Sequence, residues 1–550
     1  MNKTSIIQSL KTILSFYPEV LFILGVSAIL FHLQLDISSV LPQNVDFLLQ
    51  GKDWSQHFLG WHFYRSTPWS FPLGDFTGLL YPSPTNVGYT DSIPLLAIPL
   101  KVIAPFVGTF QYIGAWVFGS IFLQGLVGFF LLYQMKLSRV YSLVGAVFLQ
   151  LSPVLFERFD HPALTAHWII LLAFWVYLQN KYTVRGILFS GFTMVLVSWI
   201  HPYLTVMVFP ILCAYALRAP GWKSKIALCI MLVVLVVISW YAIGYFTPYA
   251  TSNMPGLGHY TAHWSTFFYS PESRLLYRVP HQAVQGFEGS SFMGLGAVLG
   301  IVGILVANLG KERVIILRKQ LKDHWILLLF IGLMSLFAMT RYPVFDFIKT
   351  SEIPGALLAH KLFTTFRATG RFIWILHYGI LIAFLITLGK RVSKKVGVGI
   401  VSVLCVITIV DAPSIFGARH NDLKLEPQVG SQYYENIRSV VSDGQYTHMI
   451  FYPSAPNKRT FFEDDDYVPF AYIAAENEMG INIGYLARVY DKIFKDFDAA
   501  LTKQIRAGEL NDNYVYIIPK THKQEVEKYL ENSSAGRELL QLNDNFWYIP

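Results

Sequence analysis

The chain is 550 residues long, 53% hydrophobic and only 14% charged, where a soluble globular domain carries about 25% charged residues. Its net charge of +8 could suit nucleic acid, but the cations sit in short segments between apolar runs and form no aromatic-interleaved patch, so nucleic acid is excluded as a partner. Cys213, Cys229 and Cys405 all lie inside apolar runs and imply no disulfide framework.

A bilayer-crossing helix needs about 20 apolar residues. Runs of that kind are predicted near 18–37, 111–134, 140–152, 164–180, 186–200, 203–217, 226–247, 291–309, 324–340, 372–389 and 396–411. No small-residue cleavage site follows the first run, which reads as a retained helix. The stretch 93–107 is apolar but interrupted by Pro94, Pro99, Lys101 and Pro105. It reads as a juxtamembrane or re-entrant element. The fold class is therefore mainly α: a polytopic membrane protein with about 11 transmembrane helices.

Charge sets the orientation. With Lys3 and Lys11 in the cytoplasm, the loops carrying Lys136/Arg139, Lys181/Arg185, Arg218/Lys223/Lys225, Lys311/Arg313/Arg318/Lys319/Lys322 and Lys390/Arg391/Lys394/Lys395 all fall inside. That obeys the positive-inside rule. The outer face then receives residues 38–110, 152–163, 200–203, 248–290, 341–371 and everything after 411. The tail 412–550 is polar, with β-rich runs at 448–453, 514–519 and 546–550 and helical patterns near 486–507 and 522–541. It reads as a small extracytoplasmic α/β domain beside a membrane domain at 1–411.

Chemistry-bearing residues collect on the outer side. In the first outer loop, Asp53 and His57 are four apart and share a helix face; Asp91 closes the loop. The aromatics Trp54, Trp61, Phe63, Tyr64, Trp69 and Phe71 suit an interfacial helix with an aromatic belt. The second outer loop holds Glu157, Arg158, Asp160, His161 and His167, and the third holds His201 and Tyr203. Ionisable residues at span ends on one face line polar cavities, although a helix-end pair of Asp160 with Arg158, or packing histidines, would look the same. Residues 248–290 suit a lid, with Tyr260 and Glu288 as its reactive members. Arg367 and Arg371 are one helical turn apart and offer forks for phosphate, or snorkel at the interface. Glu463, Asp464, Asp465 and Asp466 offer oxygen ligands for a possible divalent cation, or form a solvated turn. There is no nucleotide-phosphate loop, zinc spacing or strand-turn-helix serine motif.

The membrane part, roughly 1–411, resembles the GT-C class of integral-membrane glycosyltransferases. The blocks DWSQHFLGW, YTDSIPL, FERFDHPALTAHW, GFEGSSFMGLG and FRATGRF also resemble an uncharacterised bacterial family of such proteins. The resemblance implies a bacterial cytoplasmic membrane enzyme that takes sugar from a polyprenyl-phosphate donor, with membrane lipid around it. The acceptor would be an extracytoplasmic glycan, lipid or protein. It implies a catalytic carboxylate in the first outer loop, at Asp53 or next at Asp91, with His57 beside it. Asp160, His161, His167, His201, Tyr260 and Glu288 would line the acceptor cavity. Arg367 and Arg371 match the need for phosphate ligands by chemistry alone. No metal ligand set is read from the sequence. A transporter or flippase of a lipid-linked glycan would show internal symmetry and mid-membrane charges, and neither is visible. A non-catalytic scaffold in envelope assembly is the third reading.

Overall fold

The structure is a computed structural model that describes residues 15–179, 182–247, 260–277, 287–307, 321–339, 365–417, 429–442, 446–454, 467–486, 488, 491–531 and 537–550. Lys3, Lys11, Lys181, Lys311, Arg313, Arg318, Lys319, residues 248–259 and 278–286 of the 248–290 stretch, and the acidic run 463–466 lie outside the described residues.

Each of the eleven apolar runs contains a helix. In chain order with the intervening elements, the described helices of seven or more residues are α1 (Tyr17–Gln34), α2 (Lys52–Ser66), α3 (Pro94–Leu100), α4 (Ile113–Gln134), α5 (Arg139–Gln150), α6 (Trp168–Tyr177), α7 (Val184–Ser198), α8 (Pro202–Ala216), α9 (Trp222–Ile243), α10 (Leu295–Val306), α11 (Trp325–Ala338), α12 (Trp374–Arg391) and α13 (Lys394–Asp411). Among the described residues, four helical segments are long and apolar enough to cross a membrane: Tyr17–Gln34, Ile113–Gln134, Trp222–Ile243 and Thr369–Arg391. Five shorter apolar ones accompany them. Their outward faces are apolar: Leu21, Phe22, Ile29, Ile230, Ile238, Leu305, Leu336 and Val406 are all exposed. Large apolar side chains exposed along several helices fit contact with lipid.

The segment 93–107 folds as the seven-residue α3 and a single 3-10 turn, Ala104–Phe106. At 1.5 Å per residue, α3 is about 10 Å long, too short to cross. Its Lys101 is buried over the rings of Tyr64 and Trp69, 3.8 and 4.9 Å from their centroids.

Helix α2 departs from the expected interfacial helix. Residues 54–64 are all buried; of the six aromatics only Trp69 and Phe71, beyond the helix, are exposed. The first loop packs on one side of α2, at Gly60 and Trp61, and the C-terminal part of the chain covers another. There, helices α14 (Gln432–Val441), α15 (Val468–Glu476), α16 (Asp491–Ala507) and α17 (Lys523–Glu531) accompany a five-stranded mixed sheet. Its strands are β3 (His448–Phe451), β4 (Gly480–Ile481), β5 (Tyr514–Pro519), β6 (Leu540–Gln541) and β7 (Phe546–Ile549), in the order β4-β3-β5-β7-β6; the first loop carries its own short pair, β1 (Asp75–Phe76) and β2 (Thr85–Asn86). The pairs β3–β4 and β3–β5 are parallel; β5–β7 and β6–β7 are antiparallel. The Val/Ile/aromatic runs HMIF, YVYIIP and FWYI form these strands because such side chains fit a pleated, buried surface.

The two parts are joined through the β4 edge. Ile481 donates its amide to the Gly78 carbonyl at 2.7 Å and accepts from the Tyr81 amide at 2.8 Å. The first long loop thus adds a parallel rung to the sheet and covers that edge. Tyr472 of α15 stacks on His62 and Phe58 of α2, at 5.2 and 6.3 Å.

Candidate functional site

The site is built around two carboxylates of the first loop, Asp53 and Asp91. Asp53 stands in the first turn of α2, after the left-handed pair Gly51 and Lys52. Asp91 has φ +55° and Ile93 φ +52°, a region that costs a non-glycine residue of order 1–3 kcal/mol and persists where the surroundings impose it. Those surroundings are specific. Gly60 of α2 lies so close to Thr90 and Ser92 that a Cβ there would come within 2.2–2.5 Å of their side chains. Ser92 donates to the His57 carbonyl at 2.7 Å. The turn bearing Asp91 is therefore pressed onto the helix bearing Asp53.

Asp91 receives three donors. Gln56 Nε2 lies 3.0 Å from Oδ2, His161 Nε2 3.5 Å from Oδ2, and His201 Nε2 3.4 Å from Oδ1. Residues 91, 161 and 201 come from three loops, and this convergence is the central tertiary event. Burial pushes the Asp91 carboxyl up, but the charges and hydrogen bonds of His161 and His201 outweigh it and hold the pKa well below 3.8. Burial alone would lower His161; the Asp91 carboxylate reverses this and raises it above 6.5. His201 goes the other way, to about 4, mainly through burial. The Asp91 carboxylate is thus flanked by His161, which it makes more basic, and by His201, which burial makes less basic.

The ligand atoms of Asp91, His161 and His201 lie within 4.8 Å of one another, and two histidines with a carboxylate are a donor set for a divalent ion. Spacings of 3.4 and 3.5 Å also match the edge of a tetrahedron with metal bonds near 2.0–2.1 Å, about 3.4 Å. Protonation does not fit. His201 Nδ1 caps α8 by accepting the Tyr203 amide at 3.2 Å, so the ring proton sits on Nε2, the atom a metal would need bare.

A second buried cluster adjoins the first. Arg371 grips Glu288 through Nε and Nη2, both at 2.6 Å, and Arg158 Nη1 reaches the same carboxylate at 2.9 Å. The Arg371 guanidinium also lies 4.7 Å from the Tyr203 ring. Burial opposes the Glu288 charge, but Arg371, then Arg158, hold its pKa down to about 2.

Charges from both clusters act on Asp53. Among the described residues its carboxylate makes no hydrogen bond or ion pair. Burial raises its pKa above 3.8; His161 and Arg371 oppose the rise, while Asp91 and Glu288 add to it. An ionisable group with no partner among the described residues, acted on by four charges, differs from a structural carboxylate.

Several predicted residues take other places. His57 does not orient the Asp53 carboxylate. Its Nε2 accepts the Ala163 amide at 3.2 Å, and its Nδ1 donates to the Asp53 carbonyl at 2.6 Å. Both ring nitrogens are spent on backbone, and burial drops its pKa to about 3; the i,i+4 spacing is right and the contact is structural. Asp160 is exposed. His167 is buried between Tyr378, whose hydroxyl is 2.8 Å from its Nδ1, and Trp374. Glu288 is tied into the arginine cluster instead of lining an open cavity. Arg371, expected to meet phosphate, has already committed two donors to Glu288. Arg367 lies 5.8 Å from the Tyr260 ring, and Gly370 donates to the Tyr260 carbonyl at 2.7 Å. Sequence reasoning missed Gln56, whose position three residues after Asp53 on a predicted helix was a usable signal. It also missed Tyr467 and Arg488 of the C-terminal part, which feel the charges of Asp53 and Asp91 respectively; no local pattern singles them out.

Comparison with known proteins follows from this geometry. Residues 22–413 match the family described as Domain of unknown function (DUF6311), and residues 439–550 match the DUF6311 C-terminal domain; the chain belongs to this family. None of the curated proteins matches the sequence significantly. The arabinofuranosyltransferase AftD from Mycobacteria superimposes with a TM-score of 0.51 at 12% identity, covering 96% of this chain and 39% of that one. The chain thus spans well under half of AftD. The archaeal oligosaccharyltransferase AglB from Archaeoglobus fulgidus, solved with an inhibitory peptide and a dolichol-phosphate, gives 0.41 at 12% identity, covering 97% of this chain and 74% of that one. The fold thus resembles that of AftD, itself an arabinofuranosyltransferase.

Proposed function

We propose that this member of the DUF6311 family is a membrane glycosyltransferase that moves a sugar from a polyprenyl-phosphate-linked donor to an extracytoplasmic glycan, lipid or protein acceptor. The observation that carries the reading is the placement of Asp53: a carboxylate in the first turn of α2, with no hydrogen bond or ion pair among the described residues, on the helix against which the Asp91 turn is pressed. A general base works best when its pKa approaches the working pH, and burial moves Asp53 in that direction. In the proposed step the Asp53 carboxylate takes the acceptor hydroxyl proton. The acceptor oxygen bonds to the anomeric carbon, and the glycosyl–phosphate C–O bond breaks with its electron pair going to the phosphate. Cations near the leaving oxygen stabilise the charge that develops there. The GT-C-like fold supports the class.

The test is a comparison of cells with and without the protein. Loss of one surface glycan together with accumulation of one polyprenyl-phosphate sugar is expected; unchanged profiles of both would sink the reading. The proposed site faces away from the cytoplasm in a bacterial inner membrane. A reporter fused after residue 550 is accordingly expected to give an extracytoplasmic signal, and a cytoplasmic signal would overturn that orientation.

A further inference from the structure

Helix α2 carries a histidine that the proposed reaction does not use. His62 is 3% exposed, and neither of its ring nitrogens has a hydrogen-bond partner. A neutral imidazole has one N–H to donate and one bare nitrogen to accept, so both capacities are buried unmet. The ring lies nearly flat between two others: Phe58 of α2, 5.4 Å away at 13°, and Tyr472 of α15, 5.2 Å away at 27°. One side of the stack belongs to the membrane part and the other to the C-terminal part, so docking of α15 on α2 closes water off from one face of the ring. The surroundings offer nothing to balance a charge there. Arg65, three residues on along α2, repels an imidazolium. On α15, Glu476 acts on Tyr472 and pairs with Arg438 of α14 at 3.0 Å. Tyr434 of α14 stands edge-on to Tyr472 at 6.0 Å and feels Asp46 of the first loop; burial pushes both phenols up and keeps them neutral. Among the described residues no carboxylate acts on His62 itself. Burial, and the Arg65 charge after it, lower its pKa from 6.5 to about 3; a hydrated imidazole titrates near 6.5.

We propose that His62 is an acid-sensitive latch: the C-terminal part stays docked on α2 while the ring is neutral and is released when the ring takes up a proton. A protonated ring in the closed stack would carry a charge and two N–H groups with neither water nor partner, a cost that opening removes. Docking is therefore at full strength above 6.5, where the ring is neutral in both states. It weakens by about tenfold for each pH unit below that, until the docked ring itself titrates. Release uncovers the helix whose first turn holds Asp53. The latch stands whether or not Asp53 is a base.

The Ile481 and Tyr81 amides are hydrogen-bonded across the join, so their hydrogen exchange reports docking directly. The experiment uses the full chain in nanodiscs, with rates corrected for the intrinsic pH dependence of exchange. The opening equilibrium at both amides is expected to rise roughly 30-fold between about pH 7.5 and about pH 5, the linkage expected of one histidine. His62→Phe keeps a flat ring between Phe58 and Tyr472 and cannot take a proton. It is expected to be at least as well protected as wild type at neutral pH and to lose most of the rise in acid. Should His62→Phe fail to fold, His62→Leu carries the test. A wild-type opening that stays constant over this range would overturn the latch. A rise that the variant reproduces in full would overturn it too, and would assign the pH dependence to another group.

Discussion

Asp53→Asn is expected to leave the chain folded and to slow sugar transfer by about 10²–10⁴-fold, the usual contribution of a positioned base. The substitution keeps the size of the side chain and removes the proton acceptor. Its effect on stability separates this residue from a structural one. The folded state raises the Asp53 pKa, chiefly by burial, so folding favours the protonated form. Ionisation of Asp53 therefore costs stability as pH rises from 3.8 through the raised folded value, and that cost is fully present above it. Asn carries no such cost. At neutral pH the variant should melt no lower than wild type, and the difference should vanish in acid. The wild-type transfer rate should rise with pH through that same raised pKa. A variant that transfers at the wild-type rate would remove Asp53 from the mechanism. Asp91→Asn is the informative partner: it breaks the pair with His161 and should lower stability as well as rate.

Glu288→Gln is expected to destabilise the fold by about 3–5 kcal/mol, the range for removing one partner from a buried ion cluster. Arg158 is 3% exposed and Arg371 8%, so the loss leaves two buried guanidiniums facing each other. The contrast is Glu435, half exposed beside Arg438, where the pair is worth about 0–1 kcal/mol and substitution should pass unnoticed. The pH dependence has a definite sign. The Glu288 pKa falls from 4.5 to about 2 on folding. Its contribution is therefore complete above 4.5 and disappears as pH falls toward 2. Thermal unfolding in detergent checks both statements. A melting temperature indistinguishable from wild type at neutral pH would mean the cluster is solvated and structurally idle.

Much of this molecule is legible in its sequence, because the information is local. Eleven apolar runs become helices where hydropathy places them, since a helix satisfies its own backbone hydrogen bonds whatever surrounds it. The β-rich runs at 448–453, 514–519 and 546–550 become strands for a similar reason. Asp53 and Asp91 could be singled out because a carboxylate beside apolar surface is costly and unusual.

The site itself is not local. Hydropathy does not distinguish a helix face that meets lipid from one that meets protein, so α2 reads as interfacial until α15 is found covering it. Helical spacing brings His57 near Asp53, but the Ala163 amide, 106 residues away, decides which of its nitrogens is protonated. The arginine fork of Arg371 has a phosphate-like look in isolation and is already closed by a carboxylate 83 residues earlier. The meeting of Asp91 with His161 and His201, and the arrival of Arg488 beside Thr365 from across the domain join, depend on helix packing and on one sheet edge pairing with a distant loop. Pairwise charge interactions over such separations leave no periodicity in the chain; burial and packing create them, and only the tertiary structure contains them.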